Sequence, residues 1–257
     1  MRVQLTGKTA FVTGAAGAIG QGIARRLAES GASLVIADIN LPGAQAFAAN
    51  LPRAIAVEVD IADRASAKSA VAACLSAFGS LDILVNNAGV NSLEHRVSID
   101  AYPAHEWERI RRIDLDGLYL MSQCALAPML AEGRGGAVIN IASVVGLAAT
   151  RLQSPFSAAK AGVVHLTRSM ALELGPKGIT VNAIAPGSVM SEGTRNLFYG
   201  ADGKFAGRTA EFLRHIPLGR PGTPEEIGEA ALFLAASRAI TGQVLSVDGG
   251  WTAGFMF

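Results

Sequence analysis

Short apolar runs and longer amphipathic stretches alternate from one end of the chain to the other. The runs at residues 9–13, 34–37, 54–59, 83–86, 137–141, 180–184 and 244–247 are continuously hydrophobic rather than alternating. That is the pattern of strands covered on both faces of a parallel sheet. Between them, residues 19–30, 65–78, 107–131, 157–174 and 224–236 carry apolar positions at helical spacing. The order is βαβα throughout, which predicts an α/β fold built on a doubly wound parallel sheet with helices on both faces. No linker, repeat or low-complexity stretch interrupts it, so residues 1–257 read as one domain. Residues 188–216 break the rhythm: they are polar, Gly-containing and aromatic, and they separate a strand from the next strong helix. An insertion of this length is expected to act as a lid over a site, with a plain surface excursion as the alternative.

Composition narrows the partners. The chain is 50% hydrophobic with a formal net charge of +1, which gives no reason to expect nucleic acid or another polyanion. Its densest basic cluster, Arg109, Arg111 and Arg112, is interleaved with Glu106, Glu108 and Asp114 and reads as a solvated helix face. Cys74 and Cys124 lie in apolar helical stretches with no Cys or His at ligand spacing, so they are expected to fill core rather than bind metal. A strand begins within a few residues of the N-terminus, leaving no room for a signal peptide. The longest apolar run, 137–150, is broken by Asn140 and Ser143, too short to span a bilayer. These features predict a cytoplasmic protein that leaves membranes alone.

Residues 13–20, Thr-Gly-Ala-Ala-Gly-Ala-Ile-Gly, follow the first strand and open the first helix. Small residues at Gly14, Ala16, Gly17 and Gly20 let the backbone turn tightly and approach a pyrophosphate, with Ile19 beginning the helix whose N–H groups face it. Asp38 closes the second strand, eighteen positions past Gly20, and is followed by Ile39 and Asn40 rather than Arg or Lys. Its carboxylate can accept from an adenosine ribose diol and would repel a 2′-phosphate, so the expected cofactor is NAD.

Together with this turn, Asp60, Asn86-Asn87-Ala88-Gly89, Ser143, the Phe156/Lys160 pair, Pro186-Gly187, and the closing Ile240-Thr241-Gly242-Gln243 and Val247-Asp248-Gly249-Gly250 occur in order along nearly the whole chain. In this the sequence resembles the short-chain dehydrogenase/reductase family, a Rossmann-fold family. The resemblance implies that Asp60, with Ile61 beside it, meets the adenine ring, and that Asn87, Ala88 and Gly89 steady the strand beside the cofactor. It also implies that Pro186 and Gly187 run under the nicotinamide, with Val189 and Ser191 at its carboxamide, and that the protein is a homotetramer. The catalytic tetrad it implies is Asn, Ser, Tyr and Lys. Ser143 orients the substrate oxygen and Lys160 holds the nicotinamide ribose, but the Asn position is Asp114 and the Tyr position is Phe156. A phenol exchanges a proton; a phenyl ring cannot.

Three accounts of Phe156 stay open: a Tyr→Phe replacement that holds substrate without turnover, a protein that binds NAD for another purpose such as sensing or scaffolding, or a different group that supplies the proton. For the last, His95 and Tyr199 are candidates by location. The segments 90–102, 144–153 and 188–216 should enclose the substrate, and they carry His95, Arg96, Arg151, Gln153, Arg195, Tyr199 and Lys204. Such groups suit a small polar substrate, a polyol, sugar or sugar acid, with His95, Ser143, Gln153, Phe156 and Tyr199 as its expected contacts. Reduction of an acyl-carrier thioester is a further enzymatic possibility, against which Asp38 argues. The tail Phe255-Met256-Phe257 is expected to bury itself against a neighbouring subunit.

Overall fold

A computed structural model describes residues 3–91, 96–190 and 213–254. Seven strands, β1 (Thr9–Thr13), β2 (Ser33–Asp38), β3 (Ala54–Glu58), β4 (Ile83–Asn86), β5 (Gly136–Ile141), β6 (Ile179–Pro186) and β7 (Val244–Val247), pair in parallel in the order β3-β2-β1-β4-β5-β6-β7. The direction of winding reverses between β1 and β4, and their carboxyl ends border the crevice where such sheets bind ligands.

The helices described are α1 (Ala18–Glu29), α2 (Leu41–Ala48), α3 (Arg64–Phe78), α4 (Ala104–Arg111), α5 (Leu118–Glu132), α6 (Ser154–Leu174) and α7 (Pro224–Ala236). They cover both faces of the sheet. On one face Ile23 and Leu27 of α1 and Ile227 and Leu234 of α7 pack on Ala10, Val12, Leu34 and Ile36. On the other, Met121 and Met129 of α5 and Met170 of α6 pack on Phe11, Val35, Leu84 and Val138. Successive residues of β1 thus enter opposite cores, and every one of its side chains is buried. This is why its hydrophobicity is continuous rather than alternating.

Two elements differ from the expectation. The short α2 was hidden by its Pro42 and Gly43, which read as turn residues; its start is secured by Asn40, whose Oδ1 accepts from Gly43 N–H at 3.1 Å. The stretch 107–131 is not one helix: a π-helical turn over Arg112–Gly117 separates α4 from α5. Where α1 crosses α7, Gly22 and Gly228 bring the two backbones together; a Cβ on Gly228 would lie 2.5 Å from the Gly22 carbonyl oxygen, an overlap that has to be relieved by backbone movement.

At the opposite end of the sheet from the carboxyl crevice, Asp82 ties the chain down. Its carboxylate is 3% exposed and accepts from Lys8 Nζ at 2.9 Å, Thr9 N–H at 3.0 Å and Ser80 Oγ at 3.1 Å. Burial works against its charge, but these donors outweigh burial and hold the carboxyl below its ordinary value of 3.8. A depressed folded-state pKa contributes stability that is complete above the unfolded value and is lost as pH falls through the folded one. Asp82→Asn should therefore lower stability at neutral pH by about 1–3 kcal/mol and flatten the acid limb of the stability curve. Urea titrations of both proteins from neutral pH down through the carboxylate range will measure this.

Candidate functional site

The glycine turn is built for close approach. Gly14 has φ +62°, and a Cβ there would stand 2.7 Å from Ala88 Cα. Asn87 fastens the turn to the end of β4: its Nδ2 donates to the Thr13 and Gly14 carbonyls at 2.8 and 3.0 Å, while Thr13 Oγ1 accepts from Asn87 and Ala88 N–H at 3.0 Å each. Gly17 precedes α1 with no side-chain cap, and the first turn of α1 has no acidic residue. The helix therefore presents unsatisfied N–H groups and a partial positive charge that suit an anion. Asp38 ends β2 with Oδ2 accepting from Ala16 N–H and Oδ1 from Asn40 N–H, both at 2.9 Å, so the acidic residue and the glycine turn form one unit. Ile39 beside it is 68% exposed. Asp60 accepts from Ala62 N–H at 2.8 Å. The Ile61 side chain is buried against Gly117, where a Cβ would sit 2.9 Å away, so only the Ile61 backbone can serve a ligand.

Under the carboxyl ends of β4 and β5, four sequence-predicted residues come together. Asp114 lies in the π-helical turn, a distortion frequent at functional sites. It is 1% exposed, and its Oδ1 accepts from Val90 N–H at 2.7 Å. Lys160, 5% exposed, reaches from α6 to donate to the Ile141 carbonyl at 3.1 Å. Its Nζ also stands 3.1 Å from Asp114 Oδ2, close enough for ion pairing although off the hydrogen-bonding direction. The same ammonium lies 5.6 Å from the centroid of the Phe156 ring, which is half-buried one turn earlier on α6. Gly89 closes the pair from the β4 side: a Cβ there would meet Asp114 Oδ2 at 3.2 Å and Lys160 Nζ at 3.3 Å. Ser143 follows β5, and its Oγ accepts weakly from Val145 N–H at 3.4 Å. Gln153 is buried at the start of α6.

Pro186 ends β6, and Gly187 donates to the Val247 carbonyl. Val189 forms a parallel bridge with Gly222. Ser191, His95, Tyr199, Arg195, Lys204, residues 255–257 and most of the expected lid lie outside the described residues. A groove of about 740 Å³ between α1 and α2, floored by Arg25 and Phe47, touches the turn at Ala16 but none of Asp114, Ser143, Phe156 or Lys160.

The basic cluster on α4 needs correction. It is not a uniformly solvated face, because Glu106 and Asp114 are buried. Arg109 grips Glu106 through two bonds of 2.7 and 2.8 Å and donates to the Asn91 carbonyl at 3.2 Å, clamping the loop that follows Gly89. The i,i+3 spacing of Glu106 and Arg109 was the available signal. Leu152 was also missed: it has φ +65° just before α6, a conformation that strains a non-glycine residue and gathers near functional sites. Nothing in its side chain announces this.

Residues 14–252 match the enoyl-(acyl carrier protein) reductase family. The chain is 40% identical to sorbitol dehydrogenase of Cereibacter sphaeroides, covering 96% of this chain and 98% of that one. It is 38% identical to a 3-oxoacyl-(acyl-carrier-protein) reductase of Chlamydia muridarum, over 97% and 99%. Among solved structures, a short-chain type dehydrogenase/reductase from Mycobacterium marinum superposes with a TM-score of 0.88 at 33% identity, over 98% of each chain. No helix among the described residues is long and apolar enough to cross a membrane. Fold and kinship agree, and the chain belongs to the short-chain dehydrogenase/reductase family of alcohol and ketone oxidoreductases.

Proposed function

We propose that this protein is an NAD(H)-dependent oxidoreductase interconverting a secondary alcohol and a ketone on a small polar substrate, a polyol, sugar or sugar acid, with its proton-transfer step weakened by Phe156. The observation that carries this reading is the placement of the Lys160 ammonium 5.6 Å from the centre of a ring that has no hydroxyl. The lysine of an acid/base pair is in position, and the atom that would exchange the proton is missing.

The residues fit a nicotinamide dinucleotide, which when bound supplies the site that gains or gives a hydride. Gly14, Ala16, Gly17, Ile19 and Gly20 would cradle its pyrophosphate, as the blocked Cβ position at Gly14 and the uncapped start of α1 support. Asp38 and Ile39 would meet the adenosine ribose; Asp60 and the Ile61 backbone would meet the adenine. Asn87, Ala88 and Gly89 would flank the cofactor, Lys160 would hold the second ribose, and Pro186, Gly187, Val189 and Ser191 would line the nicotinamide. Each Asp38 oxygen accepts one backbone bond and retains a second lone pair, so a ribose diol can still bind while a 2′-phosphate meets negative charge. Ser143 and Gln153 then orient the substrate oxygen beside Phe156. Sorbitol as the named substrate of one relative supports a polar substrate.

The reading includes residues 1–257 as one domain, with residues 188–216 as a lid. Free thiols at Cys74 and Cys124 accord with a reducing compartment such as the cytoplasm. Exposed apolar side chains on α4, α5 and α6, among them Trp107, Tyr119, Leu130 and Leu172 at 81% exposure, support assembly into a homotetramer through these helices. Joint departure at Asp114 and Phe156 favours one second reading, an NAD-binding protein without turnover.

Phe156→Tyr should raise NAD-dependent turnover of polyols, sugars or sugar acids by roughly 10²–10⁴-fold; a variant that binds NAD yet stays silent across that panel would favour the second reading. Asp38→Ser should shift the ratio of NAD to NADP affinities toward NADP on the order of tenfold, equivalent to about 1.4 kcal/mol of relieved repulsion, by fluorescence titration of the reduced cofactors. Sedimentation velocity at micromolar concentration should give a tetramer, and a monomer would remove the assembly from the proposal.

A further inference from the structure

With no phenol at position 156, some other group must move the proton, and the geometry points to the Asp114–Lys160 pair as the proton-transfer unit of this chain. Lys160 is its catalytic residue, reaching the reacting oxygen through one water. Asp114 is its positioning residue, acting through Lys160. The inference rests on the dehydrogenase reading of the site.

The two Asp114 oxygens do different work. Oδ1 accepts from Val90 N–H, a bond that an asparagine carbonyl would make equally well. Oδ2 faces Lys160 Nζ at 3.1 Å and has no hydrogen-bond partner among the described residues. An asparagine would turn an N–H toward the ammonium there, donor against donor. Aspartate at this position therefore adds an acceptor on the lysine side and keeps the loop contact. Lys160 has three N–H donors. One goes to the Ile141 carbonyl and one lies beside Asp114; the third has no partner among the described residues and would be shared between the cofactor ribose and the relaying water.

Four groups are recorded close to Nζ among the described residues: the Ile141 carbonyl from β5, the Gly89 backbone from the loop after β4, Asp114 from the π-helical turn and the Phe156 ring from α6 itself. Among these described groups Asp114 is the titratable one. Both members of the pair are buried, so their coupling is strong and weakly screened. The phenyl ring neither donates nor accepts and cannot compete for the proton.

In the oxidative direction a bound nicotinamide would be the acceptor for the alcohol's C–H hydride as the C=O bond forms, and this chain's residues handle the proton. The hydroxyl proton passes to the water, the water gives a proton to Nζ, and Nζ gives one to Asp114 Oδ2. Lys160 ends as the ammonium it was, and Asp114 ends protonated until solvent takes the proton. Reduction runs the same transfers backwards.

The test uses the full chain, with NAD and the polyol, sugar and sugar-acid panel, in the Phe156 form and in the F156Y background. In the Phe156 form, D114N should reduce the residual turnover by about 100-fold and change the shape of its pH–rate profile, and D114E should recover part of both. In the F156Y background, where a phenol takes the proton, the D114N loss should be smaller. A readout independent of turnover is the melting temperature: K160M strands a buried carboxylate, so D114N/K160M should melt above K160M. Equal turnover and equal pH profiles for D114N and the Phe156 form overturn the proposal, as do additive melting losses. So does residual turnover no greater than that of K160M; if F156Y is then active, the dehydrogenase reading survives by itself. An F156Y variant that binds NAD and turns over nothing removes the dehydrogenase reading, and this proposal with it.

Discussion

A buried ammonium needs acceptors, and much of the site's local architecture answers that need at Lys160. An unpaired charge in this position would cost several kcal/mol. The Ile141 carbonyl is available because β5 ends there, and Asp114 reaches inward from the π-helical turn that separates α4 from α5. Val90 N–H fixes the carboxylate, and Gly89 lets the chain pass within van der Waals distance of both charged groups. The Arg109–Glu106 pair then holds the continuation of that loop through the Asn91 carbonyl. The helix distortion, the glycine and the surface clamp all belong to the accommodation of one cation.

The glycine-turn end is organised by a second set of ties that meets the first at β4. Asn87 and Thr13 lash the carboxyl end of β4 to the glycine turn, and Asp38 joins that turn to β2. Below them Asn86 donates to Ser122 and Asn140, and Asn140 donates to Thr167, linking β4, β5, α5 and α6 through the core. A buried hydrogen-bond network of this kind rigidifies what it joins. The positions of the glycine turn and of the residues around Lys160 are therefore set by a shared scaffold.

The sheet was legible in the sequence because burial on both faces makes each strand a short apolar run, and the seven runs fall on the seven strands within a residue or two at most ends. Helix α2 was not, because Pro42 and Gly43 carry the same letters in a turn as in a first helical turn. The π-helical turn was invisible for a related reason: its residues fit a regular helix, and the extra residue is accommodated only through tertiary contacts of Asp114 and Gly117. At the candidate site, Asp38 was singled out by residue type and position after the glycine turn, and Asp114, Ser143, Phe156 and Lys160 by the family resemblance; what the structure adds is that Asp114, Phe156 and Lys160 lie together. The burial of Glu106 and the left-handed backbone of Leu152 depend on neighbours distant in sequence, which no local pattern encodes.

The crossing of α1 and α7 at Gly22 and Gly228 has a consequence for how the protein is made. The helix beneath the glycine turn completes its packing only against a segment about two hundred residues further along the chain. During synthesis the first half of the sheet emerges with one flank of α1 bare, and β1 also waits for β4. The amino-terminal half is thus an apolar, unfinished surface until α7 leaves the ribosome. Chaperone dependence and aggregation should concentrate in that interval rather than after release.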